Sequence, residues 1–551
     1  MSRSPGWTNV SALALRLVLF AGVAVGAQHA GPAWAGVIYV RGDATGAKNG
    51  LSWADAYTDL QAALAAAEWG DEIWVAQGTY KPTSGTLPTI SFVLVAGTEL
   101  YGGFAGTETE RGQRNWETNA TILSGDIGTT ATTDNSYHVV IGAHPAVLDG
   151  FTITGGNNSS GSGGGMYNKD CSPTVTNCTF SGNTAYSGYY SGYGGGGGMC
   201  NLNCSPTVTN CTFSGNTAYF GGGGMYNGGG SPIVTNCTFS GNTASGGGGM
   251  SNEWSSPAVT NCTFSGNTAS GGGGGMSNWY GSPTVTNCTF TGNTAGSGGG
   301  MDNYESSPTV TNCAFSGNTA GGDGGGMYNY DSSPTVTNCT FSGNSVIYCG
   351  GGMYNEFGSP TVTNCAFSGN TAGYVGGGMY NYYGSPTVTN CTFSGNTAAY
   401  EGGGMYNVNS SLTVTTTTIT NCIFWDNTAP VGAEVYKDSE TTATFSHCDI
   451  KGSGGSGASW NSALGTDGGG NMDADPRFVA PATPAGPDGL WRTRDDGLRL
   501  QSDSPCIGAA DPAVAPGTDI LGLRRKTAPD IGAYEFYLPP TSADPVWLLF
   551  K

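Results

Sequence analysis

Positive charge is what this chain most conspicuously lacks. Between Lys169 and Lys437 there is no Lys, Arg or His. Across all 551 residues only 10% are charged, and the net charge is −20. Such a surface excludes binding to nucleic acid or anionic lipid through charge. It also removes the bases that acid–base catalysis needs from the middle of the chain. The acids there are scattered singles, among them Asp170, Glu253, Asp302, Glu305, Asp323, Asp331, Glu356 and Glu401. Long hydrophobic runs are missing as well. Beyond the N-terminus nothing is apolar for the ~20 residues a membrane span requires. No Lys-Ser/Thr follows the many Gly runs, so they are not phosphate cradles. Apolar residues are not scarce, at 38% with 11% aromatic, which argues against disorder.

What is abundant is repetition. The phrase "SPTVTNCTFSGNTA" stands at 172–185, with close copies at 205–218, 282–295 and 385–398 and edited versions between. Met166, Met199, Met225, Met250, Met276, Met301, Met327, Met353, Met379 and Met405 each close a Gly run. Nine of them are followed twelve positions later by Cys, from Cys178 to Cys391. In the tenth copy Cys422 comes seventeen later. A unit of this length, rich in Thr and Val, predicts three short strands per repeat. They are "GGGMYN", "PTVT" and, after a corner at Asn177, "CTF". Met, Val, Cys and Phe then point inward, and each stacks on its own copy one strand spacing away. The fold class that follows is all-β, a right-handed parallel β-helix. The register extends to "AVLDGFTITGG" and "ATFSHCDIKGS", giving about twelve coils over ~50–60 Å.

The chain divides into a signal peptide at 1–35, an N-terminal cap with first irregular coils at 36–144, the repeats at 145–453 and a loop-rich C-terminal cap at 454–551. Leu17 to Ala27 supplies the apolar core of the leader, and Ala33-Trp34-Ala35 its cleavage site. Trp53, Ala56, Leu60, Ala63, Leu64 and Ala67 predict an amphipathic cap helix over 52–69, with Ser52 and Asp55 at capping-box spacing and Gly70 as its stop.

"IYVRGDATGAKNGLSWADAYTDLQAALAAA…GDEIWVAQGTYKP" resembles the entry segment of bacterial exported parallel β-helix proteins, some of them pectate-lyase-like. "GGGM" paired with "FSGN" resembles polymorphic outer-membrane protein repeats. The stretch "DPRFV…LRLQSDSPCIGAAD…DILGLRRKTAPDIGAYEF" resembles the choice-of-anchor Q domain. Together these resemblances cover nearly the whole mature chain and imply a secreted or cell-surface protein. Their hosts include lyases, hydrolases and adhesins, so they imply no single activity. No sorting motif follows Phe536 and no autotransporter barrel is recognised, so simple secretion is expected.

Chemistry, if present, belongs to the flanks. His138 and His144 bracket an early coil, and Asp467, Asp473, Asp475, Arg492, Arg494, Asp495 and Asp496 crowd the C-terminal segment. The reading preferred for these is a solvated, loop-rich cap with surface ion pairs. No metal-ligand spacing is recognised; a calcium loop in the cap would match no known motif, and no cofactor is expected.

The aromatic residues suggest binding. Tyr167, Tyr226, Tyr328, Tyr354, Tyr380 and Tyr406 follow Met and are expected to point outward. Trp254, Trp279, Tyr280, Tyr304, Tyr330, Phe357, Tyr382 and Tyr383 lie just beyond. Such an edge either contacts a glycan or surface protein or is a ladder of rings stacked on one another. The loop "AYSGYYSGYGGGG" at 185–197 is expected to protrude nearby. Of the sixteen cysteines, ten share the inward ladder position, a poor geometry for disulfides. Cys171 and Cys204 lie on the same corner of adjacent coils and form the disulfide candidate. The expectation is a non-catalytic adhesion or binding scaffold. A polysaccharide lyase or hydrolase sited in the flanks, or a structural envelope component, stands as the alternative.

Overall fold

The computed structural model describes residues 36–129, 131–186, 194–409 and 415–537, so the leader and most of the 185–197 loop lie outside the described residues. All strand pairs in the named sheets are parallel, and each strand pairs with its counterpart one coil away. Among the described residues the strands form long sheets of 16, 14, 13 and 10 strands. The 16-stranded sheet starts at Val37–Val40 and ends at Thr466–Asp467. The solenoid is therefore longer than the repeats alone indicate. The segments Glu72–Ala76 and Glu99–Phe104 sit in register beneath Val147–Asp149 although they lack the repeat phrase.

A coil has four strands rather than three. The added one is the dipeptide of "NTA", as in Thr184–Ala185 and Thr217–Ala218, with Ala inward and Thr outward. The inward Met, Val, Cys and Phe positions are buried without exception through the repeats. Phe180, Phe213, Phe239 and Phe264 stack at 4.8 Å with ring planes 3–4° apart. Each Cys sulfur accepts the backbone N–H of the preceding Cys in the ladder, as Cys313 does from Cys288 at 3.4 Å. Burial pushes the thiols of Cys391 and Cys422 up, which keeps them unreactive.

Three asparagine ladders complete the frame. Asn168, Asn201, Asn227 and Asn252 bond amide to amide at 2.8 Å inside the sheet that carries Met. A second internal ladder uses the Asn of "SGN": Asn242 donates to Asn267 and Asn267 to Asn293, both at 2.9 Å. The third runs along the corner before Cys, where Asn210, Asn236 and Asn261 take φ of 54–55°. Asn tolerates this left-handed backbone better than most residues. The Gly preceding Met has a different cause, close approach. A Cβ on Gly224 would lie 2.6 Å from the Gly249 carbonyl and 2.9 Å from Phe239.

The N-terminal helix is shorter than the sequence predicts, spanning Leu60–Ala66 and capped by Asp59. Ser52 and Asp55 do bond each other, at 3.1 Å, but in a turn. Trp53 holds that turn out of the helix by packing on Tyr39 and Phe104 and donating to the Glu108 carbonyl. At the other end Leu464 and Trp460 pack against the core. The following segment does not simply close the end. Phe478, Leu498, Leu500, Ile520, Ile531 and Tyr534 fold back along the side of the solenoid against Ala366 and Ile423. Among the described residues no helix is long and apolar enough to cross a membrane.

Candidate functional site

The row after Met is not the open edge that its alternation predicts. Tyr328, Tyr354, Tyr380, Tyr406 and Tyr436 stack at 4.8–5.2 Å with planes 9–14° apart. Tyr226 is 2% and Tyr354 7% exposed. The Gly run of each coil folds back over this column: a Cβ on Gly350 or Gly402 would fall 2.7 Å from the Cβ of Tyr354 or Tyr406. Tyr226 donates to Glu253 at 2.7 Å, and Tyr354 to Glu356 at 3.2 Å. Burial is the main reason that both phenols are pushed up. Tyr226 and Tyr354 are thus structural. Tyr167 lies against His138, ring to ring at 4.7 Å, and Tyr328, Tyr380 and Tyr406 are half-buried parts of the ladder.

The open aromatic surface begins two residues later. Trp279, Tyr304 and Tyr330 end the Met strands of successive coils and stack at 5.1 and 4.9 Å. Tyr382 ends the strand two coils beyond Tyr330. Trp254, Tyr280, Phe357 and Tyr383 occupy the adjoining corner with φ of 53–56°. Other coils place Asp170, Gly229 or Asp331 at that corner. A bulky ring in left-handed backbone costs about 1–2 kcal/mol, and such residues cluster at functional positions. Trp254 is 65% exposed, Phe357 46% and Trp279 45%. Trp254 stacks on Tyr280 at 4.3 Å and Phe357 on Tyr383 at 5.1 Å. Rings stacked along the rod occupy one another's faces. Only their edges, and the free faces where stacks end, are left open to contact.

A second exposed ridge lies outside the positions that the sequence singles out. Tyr348, Tyr374, Tyr400 and Val431 are each at least half exposed and follow one another through backbone bonds of 2.9–3.1 Å. Their signal is a Tyr five residues before Met353, Met379 and Met405, inside the segment whose length varies from repeat to repeat.

The flanking charges hold the chain's own turns. Asp467 accepts from the Gly457 and Gly469 amides and from Ser456, which holds its carboxyl down to about 2. Asp473 accepts from Gly452 and Gly454, and Asp475 from the Arg477 amide. Asp495 and Asp496 both accept from Thr493, and Arg492 donates to the Asn312 carbonyl. His138 and His144 each face a backbone carbonyl, at 2.7 and 2.9 Å. Among the described residues no three His, Cys, Asp or Glu come together in a way that could hold a metal. A groove of about 680 Å³ at the N-terminal cap is lined by Arg41, Asp43, Asp59, Tyr80 and Lys81. Its charges are largely committed, Arg41 to Asp43 at 2.6 Å and Lys81 to Asp126 at 3.4 Å. Cys171 and Cys204 do meet, the Cys171 amide donating to the Cys204 sulfur at 3.2 Å. Both are thiols in this structure, and the hydrogen bond with Cys204 lowers the Cys171 thiol.

No curated protein matches the chain. Among solved structures, the crystal structure of pectate lyase Pel9A aligns over 92% of this chain and 97% of that one, at 15% identity and a TM-score of 0.33. The right-handed β-helix region family matches at residues 139–268, 199–362, 284–416 and 345–467. These matches join into a block from 139 to 467, more than half the sequence, so the chain belongs to the right-handed β-helix family.

Proposed function

We propose that this is a non-catalytic binding rod, secreted or displayed at a cell surface, whose contact face is the aromatic corner. The observation that carries this reading is the placement of Trp254, Tyr280, Phe357 and Tyr383 in left-handed backbone, three of them well exposed, beside Trp279, Tyr304, Tyr330 and Tyr382. A corner that only had to turn would be served by Asn or Gly, as at Asn203 and Gly229. Exposed aromatic patches mark contact with sugars or protein surfaces. The ligand favoured here is a neutral polysaccharide, because the chain carries −20 charges and would repel an anionic one. The C-terminal carboxylates Asp467, Asp473, Asp475 and Asp495 are each tied to a turn, and in the N-terminal flank Glu72 and Glu99 share the guanidinium of Arg111.

The test is affinity electrophoresis of the full chain against neutral and acidic polysaccharides, with reducing ends measured in parallel. Retardation by a neutral glycan that falls at least about tenfold in Trp254→Ala/Phe357→Ala, roughly 1.4 kcal/mol, supports the reading. Release of new reducing ends overturns its non-catalytic part. Retardation unchanged in the double variant overturns the assignment of the face.

A further inference from the structure

A second regular surface of the rod is not aromatic. It is the outer side of the "TVT" strands, where Val points inward and the two Thr outward. Six successive coils carry the full pattern: Thr284/Thr286, Thr309/Thr311, Thr335/Thr337, Thr361/Thr363, Thr387/Thr389 and Thr418/Thr420. Pairing is residue to residue with no register shift, so each Thr stands directly above its copy. Earlier coils continue the second rank as Thr176, Thr209, Thr235 and Thr260, while Ile233 and Ala258 interrupt the first.

Three features separate this face from an ordinary solvated sheet. The first is its regularity. The pairing of these strands shows no bulge over the six coils, and the Phe rings of the neighbouring sheet repeat at 4.6–4.8 Å from Phe290 to Phe393, so the coils that carry the threonines recur at an even spacing. The second is the state of the hydroxyls. None of these twelve Thr side chains bonds to another group among the described residues, whereas Thr154 and Thr392, on the neighbouring sheet, do. The third is charge. The strand and both its flanks, "SPTVTNC", contain none, although the chain as a whole is strongly acidic. A charged surface orients water around each ion and breaks any regular pattern; this one carries only methyls and hydroxyls.

Neighbouring hydroxyls are therefore spaced by one strand along the rod, and by two residues, about 6.6–6.8 Å, across it. The methyl groups leave shallow troughs between the ranks, and the hydroxyls can anchor water on either side of them. A rigid two-rank lattice of this kind holds water in a repeating array rather than in independent sites, and its repeats are of the scale at which oxygens recur on the surface of ice. We propose that the threonine face binds ice, adsorbing to a growing crystal through a layer of ordered water. This activity belongs to a different face from the aromatic corner and stands or falls independently of it.

The experiment is a freezing assay on the full chain, following the gap between melting and freezing and the coarsening of polycrystalline ice at a fixed subzero temperature. The expected result is a freezing gap and arrested coarsening in the wild type. Thr309→Lys and Thr361→Lys, made separately, place a charge on the face in different coils and should each lose the effect while keeping their melting temperature. Trp254→Ala, on the aromatic corner, should retain it. A folded wild type that behaves like buffer overturns the proposal, as does full activity in either folded lysine variant. Should both lysine variants fail to fold, the wild-type assay together with retention in Trp254→Ala decides.

Discussion

Asn427 donates its side-chain N–H to a buried carboxylate oxygen of Glu434 at 2.5 Å, and this bond ends an amide ladder that begins at Asn183. Every earlier Asn in the ladder hands its amide to the next coil. The next coil offers Asn427 no ladder Asn, and the chain turns Glu434 inward where other coils have the Gly before Met. Burial pushes the Glu434 carboxyl up to about 7, so it acts largely as a hydrogen-bonding group rather than a full charge. Glu434→Ala should strand a buried amide and cost about 1–3 kcal/mol. Glu434→Gln keeps an acceptor and should cost less. Thermal melting of the two variants checks this, and equal losses would deny the ladder its terminator.

The Gly run before Met is a packing requirement. Gly224→Ala places a methyl 2.6 Å from the Gly249 carbonyl and 2.9 Å from Phe239. Neither can retreat, because both are fixed by the coils above. Overpacking of this kind costs about 1–3 kcal/mol. Gly266 sits at φ +60°, and a Cβ there would meet nothing within 4 Å, so Gly266→Asn should be nearly neutral. Denaturant midpoints of the two variants separate close approach from backbone conformation; equal effects would mean that conformation alone sets the glycines.

These glycines show what the sequence makes legible. The period of Met, Val, Cys and Phe exposes the solenoid because inward positions must match their neighbours above and below. The fourth strand is hidden because "NTA" is two residues of pairing inside what reads as a turn. The aromatic column is misplaced for a related reason. Alternation says correctly that Tyr354 points away from the core, but the returning Gly run covers it, and a glycine run gives no pattern from which its path can be read. The side-packing of 472–537 rests on contacts such as Arg525 with Asn364, 161 residues apart, for which no periodicity exists.

Asp302 takes the post-Met position that Ser277 fills one coil earlier and Tyr328 one coil later. It is 6% exposed and its Oδ1 has no partner. Burial raises its carboxyl to about 7, against roughly 3.9 in an unfolded chain. A raised folded value means that the fold favours the neutral acid. The penalty is therefore absent below about pH 4, grows as pH rises between the two values, and is complete above about pH 7. Asp302→Ser should match the wild type at pH 4 and exceed its stability at pH 8 by about 2–4 kcal/mol. Melting curves across this range check the sign, and a gain independent of pH would show that ionisation is not the cause.

The C-terminal segment is fastened to the side of the rod by Arg525, which is buried with Glu535 at 3.1 Å. Its other nitrogen donates to the Asn364 side chain at 3.0 Å and to the Gly532 carbonyl at 2.8 Å. Removing one member of such a pair leaves the other charge buried and typically costs about 3–5 kcal/mol. The coils, however, pair with one another through bonds that do not involve Arg525. Arg525→Met should therefore release the segment without unfolding the solenoid. Limited proteolysis should cut between 472 and 537 in the variant and leave the repeats resistant, while the strand signal in circular dichroism persists. Loss of the whole fold in one transition with the segment would instead make it an integral part of the solenoid's stability.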